Sequence, residues 1–171
     1  QKDSKIFINN DDNFLSSLKK YSTNIKTFGS NSDANYSYKL INLTNKRSYF
    51  NFFKGKKILF KNLSTNLLGE HNVQNLTAVL SIIDDLGYKI KKSHILSFKG
   101  TKRRMNILGK LKKTIFIDDY AHHPTEIEKL INVISLYKKK NICLIIEPHR
   151  YSRLNDLYNE YLSVLKNINN L

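Results

Sequence analysis

The sequence predicts an α/β protein in which a region of short strands and helices is joined to a partial parallel sheet. Short strand-forming segments precede a helix, a glycine-containing break follows near residue 100, and apolar strands then alternate with amphipathic helices. The 171 residues are 40% hydrophobic and 11% aromatic, which is enough to form a core. This composition excludes a disordered chain despite a net charge of +15.

The composition also excludes several classes of protein. A single cysteine rules out a disulfide framework and a cysteine-based zinc site. No apolar run approaches 18 residues and the first residues are polar, so we expect no membrane-spanning helix and no secretory signal. We therefore expect a cytoplasmic protein without a membrane partner.

The first region begins with a buried strand over residues 5–9, followed by a helix that Asp11 or Asp12 can cap. Turn residues separate four further segments with strand chemistry: Ile25–Phe28, Tyr36–Leu43, Ser48–Phe53 and Ile58–Leu63. Apolar residues at helical spacing predict a helix from about Asn72 to Leu86, with Gly87 as its left-handed cap. A short helix follows Ser93.

We place a domain boundary at Gly100, which gives domains 1–100 and 101–171. The second domain begins with a covered strand over Thr114–Ile117 and a helix with Pro124 in its first turn. A second covered strand over Asn141–Ile146 and a helix over Leu154–Leu165 complete a β-α-β-α order. This order predicts parallel strands with right-handed crossovers.

Two polar loops follow the two covered strands, over residues 118–124 and 147–153. Because the carboxyl ends of parallel strands meet at one sheet edge, we expect both loops to face one cleft. Asp119 is then a candidate for orienting a metal-bound phosphate or water, and Arg150 and Arg153 are candidates for binding a carboxylate or phosphate with two hydrogen bonds. A histidine beside Pro124, either His122 or His123, is a candidate for hydrogen bonding an anion.

Structural interpretations of the same residues stay open. Asp118 or Asp119 can cap a turn, a histidine beside Pro124 can cap the helix, and Arg153 can lie on a solvated helix face.

Asn72 and Asn75 share one face at the start of the long helix. A carboxamide offers a donor and an acceptor side by side, which matches the edge of adenine. The alternative is that one of the two asparagines is simply the helix N-cap. Arg104, near the domain boundary, can reach a nucleotide. No phosphate-cradling G-x-x-x-x-G-K-[ST] loop occurs in the sequence.

The positive charge is concentrated between Asp85 and Asp118, where no acidic residue occurs. Heavy use of lysine, asparagine and isoleucine is typical of AT-rich coding and accounts for much of the overall charge. The local concentration still attracts an anion. It consists of ten basic residues, namely Lys89, Lys91, Lys92, Lys99, Lys102, Arg103, Arg104, Lys110, Lys112 and Lys113.

Five segments in a fixed order together resemble the Mur ligase family and cover nearly the whole chain. They are Asn9–Asp12, Gly69–Asn75, Phe98–Arg104, Asp118–Ile127 and Pro148–Arg153. The resemblance is closest to the members that join L-alanine to UDP-N-acetylmuramate. It implies the latter part of a central ATPase domain over residues 1–100 and the first part of a Rossmann-like ligase domain over residues 101–171.

The resemblance implies an ATP- and Mg²⁺-dependent ligase of peptidoglycan precursor synthesis, with UDP-N-acetylmuramate and L-alanine as substrates and an acyl phosphate as intermediate. It implies that Asn72 and Asn75 hold adenine and that Arg104 and Asp119 touch the nucleotide. It further implies that the cleft for the acyl phosphate and amino acid is lined by His122, His123, Arg150 and Arg153. It identifies no metal ligand.

The UDP-binding domain, the phosphate loop and the end of the ligase domain have no counterpart in this sequence. We therefore expect a fragment of a longer polypeptide or a product of gene decay, without turnover of its own. Two alternatives come from other classes. One is a basic nucleic-acid-binding module that uses the stretch from Lys89 to Lys113. The other is a metal-dependent hydrolase that uses Asp118, Asp119, His122, His123 and His149.

Overall fold

A computed structural model describes residues 4–138, 141–166 and 168. The chain forms two compact units, residues 1–99 and 100–171, which we call the first and second units. Both units combine strands with helices, so the α/β class is confirmed.

The first unit is built on a five-stranded mixed sheet with its strands in sequence order. The β1–β2 and β2–β3 pairs are parallel, and the β3–β4 and β4–β5 pairs are antiparallel. The strands are β1 (Ile6–Asn9), β2 (Ile25–Gly29), β3 (Tyr36–Leu43), β4 (Ser48–Lys54) and β5 (Lys57–Thr65). Each of the five strands predicted in this region is therefore present.

Three α-helices accompany this sheet: α1 (Asn13–Ser17), α2 (Glu70–Asp85) and α3 (Lys92–Ser97). Asp12 is the residue that caps α1, since its Oδ1 accepts a hydrogen bond from the Leu15 backbone N–H at 2.9 Å. Gly87 follows α2 with φ of +80°, the left-handed conformation expected of it.

The core of the first unit lies between α2 and the sheet, with α3 packed on β5. Alternate side chains of the strands point toward the helix, which is why aromatic residues two apart are buried together. The buried core residues are Tyr36, Tyr38, Phe50, Phe52, Leu63, Val73, Leu80 and Ile95.

The second unit begins with an antiparallel pair, β6 (Asn106–Leu111) and β7 (Thr114–Asp118). The strand β7 was predicted, whereas β6 was not. The hairpin turns at Lys112 and Lys113, with Lys112 at φ of +51°. Two-residue hairpin turns favour asparagine and glycine, and this lysine pair gave no such signal.

The strand predicted over Asn141–Ile146 is wrong: only an isolated bridge residue, Cys143, occurs there. Within the described part of the second unit the paired strands are therefore antiparallel, not parallel as expected. Exposure alternates along the segment and Ile145 is 93% exposed, so only one of its sides is covered. A parallel strand needs cover on both faces, and this segment lacks it.

Three helices complete the described second unit: α4 (Pro124–Ser135), α5 (Tyr151–Asp156) and α6 (Tyr158–Leu165). The single helix predicted over Leu154–Leu165 is interrupted at Leu157, where φ is −112°. Short polar side chains at residues 155 and 156 compete for backbone hydrogen bonds and favour such a break. Helices α4 and α6 pack together and bury Ile127, Val133 and Tyr161.

Candidate functional site

Asp119 organises the loop that follows β7. Its Oδ2 accepts a hydrogen bond from the Met105 backbone N–H, and its Oδ1 accepts one from the Ala121 N–H, both at 2.8 Å. The side chain is only 10% exposed, and Arg104 Nη1 lies 3.9 Å from Oδ1. Asp119 thus joins the segment before β6 to the loop after β7 and sets the position of Arg104.

Arg104 lies between two carboxylates and an aromatic ring. Its Nη2 is 3.8 Å from Glu126 Oε1, and its guanidinium carbon is 5.9 Å from the centre of the Tyr120 ring. Arg103 also lies over that ring, at 4.9 Å. The Arg104 side chain is 48% exposed, so its fork of N–H donors remains open to an anion from solution.

The backbone on either side of Arg104 is in the left-handed region, with φ of +57° at Arg103 and +49° at Met105. Residues other than glycine rarely adopt this backbone conformation, and it persists where surrounding contacts hold it. Here the Tyr120 N–H donates to the Arg103 carbonyl at 2.8 Å, and Asp119 holds the N–H of Met105. The conformation of this segment therefore depends on the loop after β7.

Glu126 links that loop to α4. Its Oε2 accepts the backbone N–H groups of His122 at 3.1 Å and His123 at 3.4 Å. Partial burial opposes ionisation of Glu126, but these two N–H groups and the positive charges nearby outweigh it and lower its pKa. The carboxylate is thus an anion that faces His122 and Arg104.

The structure assigns opposite roles to the ring nitrogens of the two adjacent histidines. His122 Nδ1 lies 3.0 Å from the Tyr120 carbonyl oxygen, which only accepts, so Nδ1 carries the proton and Nε2 is the acceptor of the neutral ring. His123 Nδ1 accepts the Thr125 N–H at 3.3 Å, which leaves the proton on Nε2. His122 therefore offers an acceptor and His123 a donor.

His123 is also the N-cap of α4, in a capping box with Glu126. The interpretation of a histidine beside Pro124 as a helix cap is therefore correct for His123. Pro124 lies at the first helical position, as predicted.

The two polar loops of the second unit lie side by side. The ring of His149 is 5.3 Å from the ring of His122, centre to centre. Arg150 follows with φ of +70° at the start of α5, and its side chain is exposed. Arg153 is half-buried, and its Nη1 atom is buried without a hydrogen-bond partner among the described residues. The structure brings His149 to His122, but in its described part no hydrogen bond or ion pair joins Arg150 or Arg153 to Asp119.

The asparagine pair lies in the first unit, at the N-terminal end of α2. Gly69 is the N-cap of α2, so neither asparagine has that role. Asn72 Nδ2 donates to the Leu68 carbonyl at 2.8 Å, which leaves its oxygen as an acceptor, and Asn75 is exposed one turn further along. Both side chains thus retain polar atoms for a ligand.

The sequence did not indicate a role for three residues that contact Arg103, Arg104 or His122 in the second unit. Glu126 forms a capping box with a histidine, whereas the usual signature begins with serine or threonine. Tyr120 and Tyr161 gave no signal because their contacts join residues distant in sequence or depend on the loop conformation.

A resident metal site is not evident from the residues that the structure describes. Among them no group of three or more histidine, cysteine, aspartate or glutamate side chains is arranged to hold a metal ion. Both Asp119 oxygens accept backbone N–H groups, and Asp118 lies 3.8 Å from Arg103 Nε. Likewise, no helix in the described ranges is long and apolar enough to cross a membrane.

Comparison with known proteins gives matches in both units. Residues 1–83 match the Mur ligase middle domain, and residues 103–170 match the profile described as Mur ligase, glutamate ligase domain. The UDP-N-acetylmuramate–L-alanine ligase of Aquifex aeolicus is 36% identical over 169 residues, which are 96% of this chain and 37% of that protein.

Two further relatives carry the same name. The enzyme of the same name from Carboxydothermus hydrogenoformans is 37% identical over 112 residues, covering 64% of this chain and 24% of its own length. The crystal structure of UDP-N-acetylmuramate-alanine ligase from Thermotoga maritima superimposes with a TM-score of 0.74 at 26% identity, covering 95% of this chain and 35% of that one. The chain thus spans about a quarter to somewhat over a third of these proteins.

Proposed function

The chain belongs to the Mur ligase family, and from that premise we propose that it is a segment of an ATP-dependent ligase joining L-alanine to UDP-N-acetylmuramate in peptidoglycan precursor synthesis. The first unit is then the latter part of a central ATP-binding domain, and the second is the first part of a Rossmann-like ligase domain. Such an enzyme works in the cytoplasm, where its nucleotide substrates are found. The observation that carries the proposal is the arrangement of Arg104, Asp119, Glu126 and the two histidines in the second unit.

The reaction has two steps. The lactyl carboxylate takes the terminal phosphoryl group of ATP, which gives an acyl phosphate and ADP. The amine of L-alanine then attacks the acyl carbon, which forms the C–N bond of a tetrahedral intermediate, and the nitrogen gives up a proton. Collapse of this intermediate breaks the bond to the phosphate oxygen and releases phosphate. The residues must therefore hold anionic oxygens and accept a proton from the attacking amine.

The second unit offers groups suited to both tasks. His122 Nε2 is an acceptor for an N–H of the amine, and His123 Nε2–H is a donor for an oxygen of the acyl phosphate. Arg104, aligned by Asp119, contributes a charged fork for phosphate oxygens. The unpaired Nη1 of Arg153 supports a place for that residue, with Arg150, beside the carboxylate or phosphate of a substrate.

Asn72 and Asn75 of the first unit would bind adenine. One helical face carries both carboxamides, and the purine edge pairs a donor with an acceptor in the same way. The N-terminal end of α2 also favours the negative charge of a nucleotide.

We assign no magnesium ligand in this chain. Among the described residues no three or more histidine, cysteine, aspartate or glutamate side chains are grouped to hold a metal ion, so we name no residue for the Mg²⁺ that the resemblance implies. The same finding counts against the hydrolase alternative, because Asp118, Asp119 and His123 are engaged by protein groups. Nothing in the comparisons favours the nucleic-acid-binding alternative.

Titration of the ¹⁵N-labelled chain with ATP, and separately with GTP, tests the nucleotide assignment. We expect ATP to shift the amide and side-chain signals of Asn72 and Asn75 more than GTP does, because guanine presents a different edge. Asn75→Ala should weaken ATP binding about fivefold or more, corresponding to the loss of a hydrogen bond of ~1 kcal/mol. Asn45→Ala, at an exposed asparagine between β3 and β4, is the matched control and should not change it.

Equal responses to ATP and GTP, or no response at α2, would contradict adenine binding by this pair. The chain should not hydrolyse ATP in the same solutions, since it has no phosphate-cradling loop. Release of phosphate above the rate of a heat-denatured sample would contradict that expectation.

A further inference from the structure

Tyr161 connects α6 to the loop that carries the two histidines. It is 4% exposed, and its hydroxyl donates a hydrogen bond to the backbone carbonyl of His122. A buried phenol requires a polar partner, and here the partner is 39 residues away in sequence. This bond anchors the loop to the helical layer of the second unit.

His122 makes three hydrogen bonds and one further polar contact. Tyr161 holds its carbonyl, Glu126 Oε2 accepts its N–H at 3.1 Å, and its ring Nδ1 donates to the Tyr120 carbonyl at 3.0 Å. The same Nδ1 lies 3.6 Å from Glu126 Oε2, and this carboxylate also favours a proton on Nδ1. The first two contacts fix the backbone on either side of the His122 Cα atom. The third contact spans only two residues, so it exists only while the backbone between Tyr120 and His122 keeps its bend.

The tautomer of a neutral histidine follows the hydrogen bond that one of its nitrogens makes. For His122 that bond places the proton on Nδ1 and leaves Nε2 as the acceptor. In the neutral ring, a contact that keeps Nδ1 beside the Tyr120 carbonyl therefore also leaves Nε2 without a proton. Tyr161 is the contact that reaches this loop from α6.

We propose that Tyr161 is a positioning residue, which holds the His122 carbonyl so that the ring stays in its Nδ1–H tautomer with Nε2 as an acceptor. The use of that acceptor for the amine of an amino acid rests on the proposed function. The hydrogen-bond arrangement itself depends only on the contacts within the second unit.

The test is nitrogen NMR of the full chain labelled with ¹⁵N at the histidine rings, at a pH where the rings are neutral. In the wild-type chain we expect His122 Nδ1 to resonate as a protonated nitrogen and Nε2 as an unprotonated one, with the reverse for His123. Tyr161→Phe removes one oxygen atom and keeps the ring. In this variant both His122 signals should move toward the averaged values of a ring that exchanges between tautomers.

Tyr158→Phe is the matched control, since Tyr158 lies on the same helix and is 56% exposed. It should leave the ring signals of His122 unchanged. Thermal unfolding of both variants separates positioning from simple stabilisation. A Tyr161→Phe chain that melts earlier but keeps the wild-type His122 signals would show a purely structural role and overturn the proposal. A wild-type His122 protonated on Nε2 would overturn it as well.

If Tyr161→Phe does not fold, NMR of the wild-type chain still tests the proposal. A deuterium isotope shift at the His122 carbonyl carbon, caused by the Tyr161 hydroxyl, together with the Nδ1–H tautomer, supports the proposal, and absence of either overturns it. None of these signals requires a nucleotide or turnover. Failure of ATP to bind would therefore reject the proposed function and leave the role of Tyr161 to be judged by NMR alone.

Discussion

The two units are stabilised by different kinds of contact. The first unit places α2 against an aromatic layer in which Phe50 and Phe52 have no exposed surface. Among its described residues the second unit buries fewer large side chains, and its distinctive contacts are hydrogen bonds and charges around Asp119, Glu126 and His122. Apolar burial tolerates small movements, whereas a polar cluster depends on the position of each donor. The comparison teaches that large apolar side chains are buried mainly in the first unit, whereas the residues that we assign to the acyl phosphate and the amine lie among polar contacts in the second.

The largest expected effect is in the aromatic layer. Phe52→Ala should lower the free energy of unfolding of the first unit by about 3–5 kcal/mol, because it removes a fully buried ring and leaves a cavity. Chemical denaturation followed by NMR signals of each unit measures this. Phe116→Ala in β7, where the ring is 50% exposed, is the control and should cost much less. Equal losses would contradict the contrast between the units.

Gly29 offers a second way to sharpen the contrast. A Cβ atom there would lie 2.6 Å from Asp11 Oδ1, and the Asp11 carboxylate accepts the Ser30 N–H at 2.7 Å and the Gln74 Nε2–H at 3.0 Å. Gly29→Ala should therefore destabilise the first unit by about 1–3 kcal/mol through overpacking. Gly109→Ala, in open space in β6, should stay within about 0.5 kcal/mol. A neutral Gly29→Ala would show that Asp11 moves freely.

Asp119→Ala tests the polar cluster directly. It leaves the partly buried N–H groups of Met105 and Ala121 without their acceptor and should cost about 1–3 kcal/mol. The neighbouring Asp118→Ala is the control, since its partner Arg103 is 60% exposed, and about 0.5 kcal/mol or less is expected. Thermal unfolding compares the two variants. A larger effect at Asp118 would contradict the central place of Asp119.

The loss of folding stability at acid pH should be smaller than the effects of these substitutions, and it should occur in both units. At Asp84, burial opposes ionisation, but hydrogen bonds from Lys54 and Tyr36 outweigh it and lower its pKa from 3.8. The unfolded chain then binds the proton more readily, so this contribution is complete above about pH 4 and is lost as the pH falls through the folded pKa. The pKa of Glu126 is likewise lowered, from 4.5, so the contribution of Glu126 to stability is also lost as the pH falls through its folded pKa. Asp84→Asn and Glu126→Gln should each flatten the acid limb of stability in their own unit, measured by unfolding from pH 6 to 2.

Much of the first unit could be predicted because turn residues bound each strand and apolar residues repeat along α2. The segment Asn141–Ile146 shows the limit of that reasoning. A run of apolar residues predicts burial, but burial depends on neighbouring elements that the run does not specify. Asp119 and both histidines could be placed in one loop, because they lie between a predicted strand and a predicted helix. The turn cap at Asp119 and the helix cap at His123 were among the interpretations that the sequence left open, and both occur. The contacts of Asp119 with Met105 and of His122 with Tyr161 could not be predicted, because Met105 and Tyr161 reach the loop from elsewhere in the chain.

Transplanting this chain tests the proposed function most directly. The matching 169-residue segment of the Aquifex aeolicus ligase is replaced by this chain, and L-alanine-dependent product formation from UDP-N-acetylmuramate and ATP is measured. We predict that a folded chimera forms product and that His122→Ala in it lowers the rate about 100-fold, as expected for loss of a proton acceptor. A folded chimera that binds ATP yet forms no L-alanine-dependent product would contradict the proposed function.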